Sequence, residues 1–271
     1  MAPALTVVGS VNLDLVAQAA RLPRPGETLS DATFTQVPGG KGANQAVAAA
    51  KLGAQVTLIA AVGSDALAEP ALAGLREAGV QLQVVTKEGS TGVALIVVDA
   101  NGENTIVVAP GTNAQLRPED VNLPDDQAVL CQLEIPVDTA EWVGDNAPAD
   151  FFLNAAPARE GAPKADVTIV NRYEFELLPD KTGCIAVTHG AEGAVLLDGG
   201  EEVARATPPA VRAVDGTAAG DAFTACLVVS LLEGRPRDEA LRRACVAGAL
   251  AASKFGAQSS LPTAQEVDSL L

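Results

Sequence analysis

Residues 214–223 read Val214-Asp215-Gly216-Thr217-Ala218-Ala219-Gly220-Asp221-Ala222-Phe223, a turn of small residues that opens an apolar helix and leaves a carboxylate in its first turn. The N–H groups of Ala218, Ala219 and Gly220 would sit at the positive end of that helix, with no bulky side chain to keep a polyanion away. Such a cradle suits phosphate, whereas a carboxylate beside it does not, because like charges repel. The combination makes chemical sense as phosphoryl transfer. Asp221 takes the proton of an attacking hydroxyl while the amides stabilise the group being transferred. Taken alone, Asp221 could equally be a residue that complements the helix dipole.

A second small-residue turn, Pro38-Gly39-Gly40-Lys41-Gly42-Ala43-Asn44-Gln45, also opens a helix, since Ala43, Ala46, Val47 and Ala50 recur at helical spacing. Its glycines let the backbone approach a ligand, and Lys41 and Asn44 add a cation and an amide able to grip hydroxyls. The P-loop spacing G-x-x-x-x-G-K-[ST] is absent, and by itself such a turn is often only a turn. Near the start of the chain Asn12 and Asp14 alternate with Val11 and Leu13, so in an extended segment both face one side. The strand before them runs into Gly9-Ser10-Val11-Asn12-Leu13-Asp14 rather than G-x-G-x-x-G, which excludes a dinucleotide-binding oxidoreductase of the Rossmann type.

Elements that could position these groups follow from the apolar pattern. Parallel-type strands are expected at residues 5–9, 56–62, 128–133, 151–154, 166–170 and 184–188, with helices at 42–53, 65–79 and 137–145 between several of them. Residues 92–98 and 105–108 flank Asp99-Ala100-Asn101-Gly102-Glu103 and read as an antiparallel hairpin turning at Asn101-Gly102. At 271 residues the alternation points to one α/β unit, residues 1–271, rather than two domains. The 34 acidic against 18 basic residues, net −16, argue against nucleic acid and anionic membrane as partners. No stretch approaches the ~20 apolar residues of a membrane span and no charged segment precedes an apolar signal core, so a cytoplasmic protein is expected. Cys131, Cys184, Cys226 and Cys245 sit singly in apolar segments and are expected as buried free thiols. With His189 the sole histidine, multi-histidine metal sites are excluded and base work falls to a carboxylate.

In their order and wide separation, the segments 9–14, 39–45 and 215–221 resemble the ribokinase branch of the PfkB carbohydrate kinases. Ser90-Thr91-Gly92-Val93-Ala94, Gln132-Leu133-Glu134, residues 154–160 and Gly256-Ala257-Gln258 extend the resemblance over nearly the whole chain. It implies a ribokinase-like three-layer sandwich, a central mostly parallel sheet flanked by helices, plus a small β-sheet lid formed by residues 14–18, 31–37 and 91–109. The implied activity is ATP-dependent phosphorylation of D-ribose at its 5-hydroxyl. Asn12, Asp14, Gly40, Lys41, Gly42, Asn44 and Glu134 would hold the sugar, Asp221 would be the base, and the amides of residues 218–220 the anion hole. On the nucleotide side the resemblance implies Asn171, the loop Thr188-His189-Gly190-Ala191-Glu192-Gly193, Gly220, Asp221 and Cys245 around ATP, with Glu174 holding magnesium through water. Asp215, Thr217, Ala251, Lys254, Gly256 and Ser260 fall at positions that bind an activating potassium ion, and the lid strands, rich in β-branched residues, are expected to join a homodimer.

The chain departs from the family pattern on the nucleotide side. Gly216 stands where threonine is usual and Cys245 where Asn or His is usual, and the segment between Glu176 and Cys184 is short by about a helix. Residues 137–148 and the C-terminus are trimmed too. The alternatives to ribose phosphorylation are therefore a kinase for a nucleoside or another sugar, and a sugar-binding relative with an impaired ATP site. The low aromatic content, 3%, leaves little shelf for a nucleoside base and favours the small sugar.

Overall fold

The structure, a computed structural model, describes residues 2–100 and 103–271. In chain order its strands and helices are β1 (Ala4–Val8), β2 (Asn12–Gln18), β3 (Thr33–Gly39), α1 (Lys41–Lys51), β4 (Gln55–Gly63), α2 (Ala68–Glu77), β5 (Gln81–Lys87), β6 (Gly92–Val98) and β7 (Asn104–Ala109). There follow β8 (Ala128–Gln132), α3 (Val137–Asn146), β9 (Phe151–Asn154), β10 (Val167–Asn171), α4 (Arg172–Leu177), β11 (Ile185–Thr188), β12 (Ala194–Asp198), β13 (Glu201–Ala206), α5 (Ala219–Leu232), α6 (Arg237–Ala252) and α7 (Ala264–Asp268).

Among the described residues the strands form two sheets. The larger has nine strands in the order β13-β12-β11-β10-β9-β8-β1-β4-β5, parallel from β11 to β5, with β12 and β13 added antiparallel at one edge. Strand periodicity divides its side chains between two core layers. Leu5 and Val7 of β1, Leu58 and Ala60 of β4 and Leu130 of β8 pack on the side of α1, α2, α5 and α6. Val8, Ile59, Ala61, Val129 and Cys131 pack on the other, with Leu133, Val143 and Phe151. The result is the expected three layers, helices on both faces of a mostly parallel sheet. α5 is apolar all round and buried from Asp221 to Ser230, as befits a helix enclosed between the sheet, α1 and α6. Arg243 locks its far end, donating to Ser230 Oγ at 2.8 Å and to Asp268 Oδ1 at 2.7 Å.

The smaller sheet, β3-β2-β6-β7, is separate, with β6 and β7 antiparallel and Val98 opposite Asn104. The expected hairpin is therefore present, while its turn at Asn101-Gly102 lies outside the described residues. Its β2 starts two residues before the expected 14–18, and its β3 is shifted two residues on from the expected 31–37, because the ladder runs from the pair Gln18 and Thr33 to the pair Asn12 and Gly39. The helix expected at 65–79 starts only at Ala68, since Asp65 is occupied by Thr91, whose N–H and hydroxyl donate to its carboxylate at 3.0 and 2.7 Å. β5, β12 and β13 were not among the expected strands. β12 and β13 are joined by Gly199-Gly200, both at positive φ (61° and 85°), the two-residue hairpin turn that matches strand twist. Among the described residues the crossover from β10 to β11 has one helix, α4 with six residues, and the short segment that follows it, up to Cys184, carries no further helix.

Candidate active site

Every parallel strand of the large sheet delivers its C-terminal end to one side of the molecule, the edge at which open α/β sheets bind ligands. There β1 hands over to Ser10, β8 ends in Gln132 two residues before Glu134, and β9, β10 and β11 end in Asn154, Asn171 and Thr188. α1 and α5 begin at the same edge. Ser10 Oγ donates to Glu134 Oε2 at 2.6 Å, the backbone N–H of Lys41 donates to the same oxygen at 3.1 Å, and that of Gly42 donates to Ser10 Oγ at 3.3 Å. Glu134 thus caps the first turn of α1, consistent with a carboxylate at a positive helix end.

Asn12 and Asp14 lie on one face of β2, as the alternation predicts, and both are buried. Asn12 Oδ1 accepts from Asn113 Nδ2 at 2.8 Å, while Asn113 Oδ1 accepts the Val11 N–H at 2.9 Å. The Asn12 amide is thereby turned so that its NH2 group is left for another partner. Asn113, in a 3-10 turn at residues 111–115, had no signal in the sequence beyond Pro110-Gly111 before it. Burial, with Glu134 and Asp221 nearby, raises the Asp14 carboxyl to about 7. Burial alone would pull the Lys41 ammonium down, but the carboxylates of Asp221, Glu134 and Glu174 outweigh it and hold it above its usual value.

Asp221 sits in the first turn of α5 at 6% exposure. Its Oδ2 accepts from Asn44 Nδ2 at 3.0 Å and its Oδ1 from Gln45 Nε2 at 2.9 Å. Burial raises its pKa, against the opposing pull of Lys41 and the two amide donors. Asn44 Oδ1 is buried with no partner among the described residues, an acceptor suited to a ligand hydroxyl. Gln45, Gln132 and Asn154, which complete this cluster, were quoted in motifs but not expected at the site.

Two cavities flank these groups. One of about 350 Å³ lies between the small sheet, with Asp14, Val16 and Ile96, and the loops carrying Arg212, Thr217 and Phe255. The other, about 180 Å³, is lined by Lys41, Asn154, Asn171, Glu174, Thr188, Gly216, Ala218, Gly220 and Asp221. Ala218 is left-handed (φ 60°), an unusual conformation for a residue with a Cβ, and it turns the chain into α5. Ala219 N–H donates to Gly216 O at 3.2 Å, so of the three expected anion-hole amides those of Ala218 and Gly220 have no protein acceptor among the described residues.

The nucleotide-side residues are more dispersed. Asn171 and Glu174 form a capping box for α4: Asn171 Oδ1 accepts from the N–H groups of Tyr173 and Glu174, and Glu174 Oε2 accepts from that of Asn171 at 2.8 Å. N-x-x-E is thus first a helix start, and it brings Glu174 to the cavity wall. Residues 188–193 make a tight turn closed by His189 N–H to Gly193 O at 2.8 Å, with His189 half-buried and only Thr188 lining the cavity. Cys245 lies in the core on α6, its thiol directed at Ala206 O, and lines neither cavity. Of the residues expected to hold a monovalent cation, Asp215, Thr217 and Gly256 converge. Asp215 Oδ1 accepts from Thr217 N and Oγ1 at 2.9 and 2.6 Å, and Oδ2 accepts from Gly256 N at 2.9 Å. Ala251 O accepts the Lys254 N–H, Ser260 Oγ donates to Ala257 O, and the Lys254 ammonium turns away to Glu266.

The pfkB family carbohydrate kinase profile matches residues 2–264. The chain is 38% identical to the ribokinase of Bacillus subtilis over an alignment 294 positions long, covering 98% of this chain and 99% of the relative. Its fold superposes on the crystal structure of ribokinase from Thermotoga maritima with a TM-score of 0.88 at 30% identity, covering 99% of each chain. Against Arabidopsis thaliana ribokinase complexed with ribose and ATP the TM-score is 0.83 at 29% identity, over 100% of this chain and 99% of that one.

Proposed function

The chain belongs to the pfkB family of carbohydrate kinases, and from that premise we propose that it transfers the γ-phosphoryl group of ATP to the 5-hydroxyl of D-ribose. The observation that carries this reading is the setting of Asp221, a buried carboxylate held by two amide donors on the wall of a cavity that also holds Lys41 and the start of α5. In the reaction the sugar O5 attacks phosphorus, the O5–P bond forms as the bond to the β-phosphate oxygen breaks, and the O5 proton passes to Asp221. Asn12, Asp14, Asn44 and Glu134, with the backbone at Gly40 and Gly42, hold and orient the other hydroxyls. Lys41 and the free amides of Ala218 and Gly220 stabilise the negative charge of the transferring group.

The donor sets around this centre fit two cations. Glu174 has one oxygen engaged by Asn171 and the other left to hold water on a magnesium ion, which when bound neutralises phosphate charge. The loop of Asp215, Thr217 and Gly256, with the carbonyl of Ala251 and Ser260, offers oxygen donors only, the set a potassium ion takes, and Lys254 does not compete because its ammonium pairs with Glu266. A homodimer through the small sheet is supported by its exposed apolar side chains, among them Phe34 (65%), Leu95 (50%) and Val107 (60%).

A coupled ADP-release assay over ribose, 2-deoxyribose, fructose and adenosine tests the assignment. Ribose should give the highest kcat/KM, rising when potassium replaces sodium at constant ionic strength. Ribose binding without ADP release would identify a sugar-binding relative instead, and faster turnover of adenosine would move the protein to another branch of the family.

A further inference from the structure

Behind Asp221 lies a row of buried carboxamides that phosphoryl transfer does not itself use. Asn154 donates its Nδ2 to the Ile169 carbonyl at 3.0 Å, so its Oδ1 is left to accept. Gln45 Nε2 donates to Asn154 Oδ1 and to Asp221 Oδ1, both at 2.9 Å, which uses both of its hydrogens. Gln45 Oε1 then accepts from Gln132 Nε2 at 2.7 Å. Gln132 Oε1 ends the row without a partner among the described residues, against Gly9, where a Cβ would lie 1.8 Å away. Gln45 and Gln132 are fully buried and Asn154 is 7% exposed.

A backbone carbonyl can only accept, so the anchor at Ile169 sets the sense of the whole row. Reversing Gln45 would place its oxygen against both Asn154 Oδ1 and Asp221 Oδ1. We propose that Gln45 is a positioning residue for the general base, oriented by Asn154 and Gln132, which holds Asp221 by Oδ1 in its ionised form and presents Oδ2, beside Asn44, to the attacking hydroxyl. The proposal rests on Asp221 being the base. The charged groups around Asp221 come from other elements: Lys41 on α1 favours the ionised form, Glu134 after β8 opposes it, Asp221 itself raises the Asp14 carboxyl on β2, and Glu174 on α4 acts on Lys41. The carboxamides are neutral, so removing one leaves this balance of charge intact.

The test is the pH dependence of kcat with ribose and ATP for Gln45→Met, Gln132→Met and the double variant, alongside ribose affinity and melting temperature. Without its donor the carboxylate protonates more readily, and a base works only when ionised, so the acid limb of Gln45→Met moves to higher pH. The expected shift is about one pH unit, with kcat on the acid limb lower by up to about tenfold and ribose affinity within about threefold. Gln132→Met shifts the limb in the same direction by less, and the double variant matches Gln45→Met, because Gln132 acts only through Gln45. An acid limb at the wild-type position in Gln45→Met, whatever happens to its melting temperature, overturns the proposal, as do strictly additive effects in the double variant. Should Gln45→Met not fold, the limb of Gln132→Met decides in the same way. Asp221→Asn separates this from the reading it rests on. If that variant keeps its turnover, Asp221 is not the base; if it loses turnover while Gln45→Met keeps the wild-type limb, only the positioning role falls.

Discussion

Two helices begin beside Asp221 after small-residue turns, and they use their glycines for opposite ends. At the start of α1 the backbone is closed on its neighbours. A Cβ on Gly42 would lie 2.5 Å from the Ser10 amide nitrogen, and one on Gly40, whose φ is 89°, would lie 2.7 Å from that of Asn12. At the start of α5 the space is open, and a Cβ on Gly216 or Gly220 would meet no atom within 4 Å. The same composition lets two segments of backbone touch in one place and keeps room for a ligand in the other. The first arrangement fixes hydroxyl-gripping side chains rigidly, while the second leaves amides and a carboxylate facing a cavity.

The largest expected effect comes from the open side. Asp221→Asn keeps the shape and the hydrogen-bond capacity of one oxygen but removes the base, so kcat should fall by roughly 10²- to 10⁴-fold with ribose affinity little changed. Near-normal turnover would remove Asp221 from the chemistry and with it the functional meaning of the open helix start. On the closed side, Asp14 carries a carboxyl raised from 3.8 to about 7. The folded protein holds a proton there that the unfolded chain has released, so stability falls as pH rises from about 4 to about 7. Relative to Asp14→Asn, the wild-type protein should lose on the order of 4 kcal/mol across that window. Urea unfolding of both proteins at the two ends of the range measures the difference, and parallel curves would mean that Asp14 is not buried as the closed site requires.

A paired substitution tests the contrast directly. Gly42→Ala drives a methyl into backbone and should cost about 1–3 kcal/mol or more. Gly220→Ala meets nothing in the protein and, within a helix, should raise stability by up to about 1 kcal/mol, yet it places a methyl in the space for the phosphates and so should weaken kcat/KM for ATP. Melting curves and ATP kinetics of the two variants should therefore move in opposite patterns. If both lose stability, the start of α5 is as tightly packed as that of α1 and the comparison fails.

Much of this was legible beforehand because it is local. The turn before α1, the turn before α5 and the alternation at Asn12 and Asp14 each lie within about ten residues, and the periodic apolar runs located α1, α3 and most strands of the parallel sheet. The Gly199-Gly200 hairpin was equally local and was available as a signal. Asn171 and Glu174 illustrate a subtler limit, for the same four residues spell both a nucleotide-site pattern and a capping box, and the structure has them serving as the cap.

By itself, then, the order and type of residues determined that this chain is an α/β protein with two small-residue helix starts and a carboxylate at one of them, since hydrophobic period and turn chemistry act over short distances. What surrounds that carboxylate was decided only by tertiary structure. Gln132 and Asn154 lie 87 and 109 residues from Gln45 along the chain and meet it because β8 and β9 are parallel neighbours whose ends, in register at Gln132 and Asn154, stop beneath α1. Buried carboxamides must find partners wherever the fold brings them, and no local pattern records which partner that is.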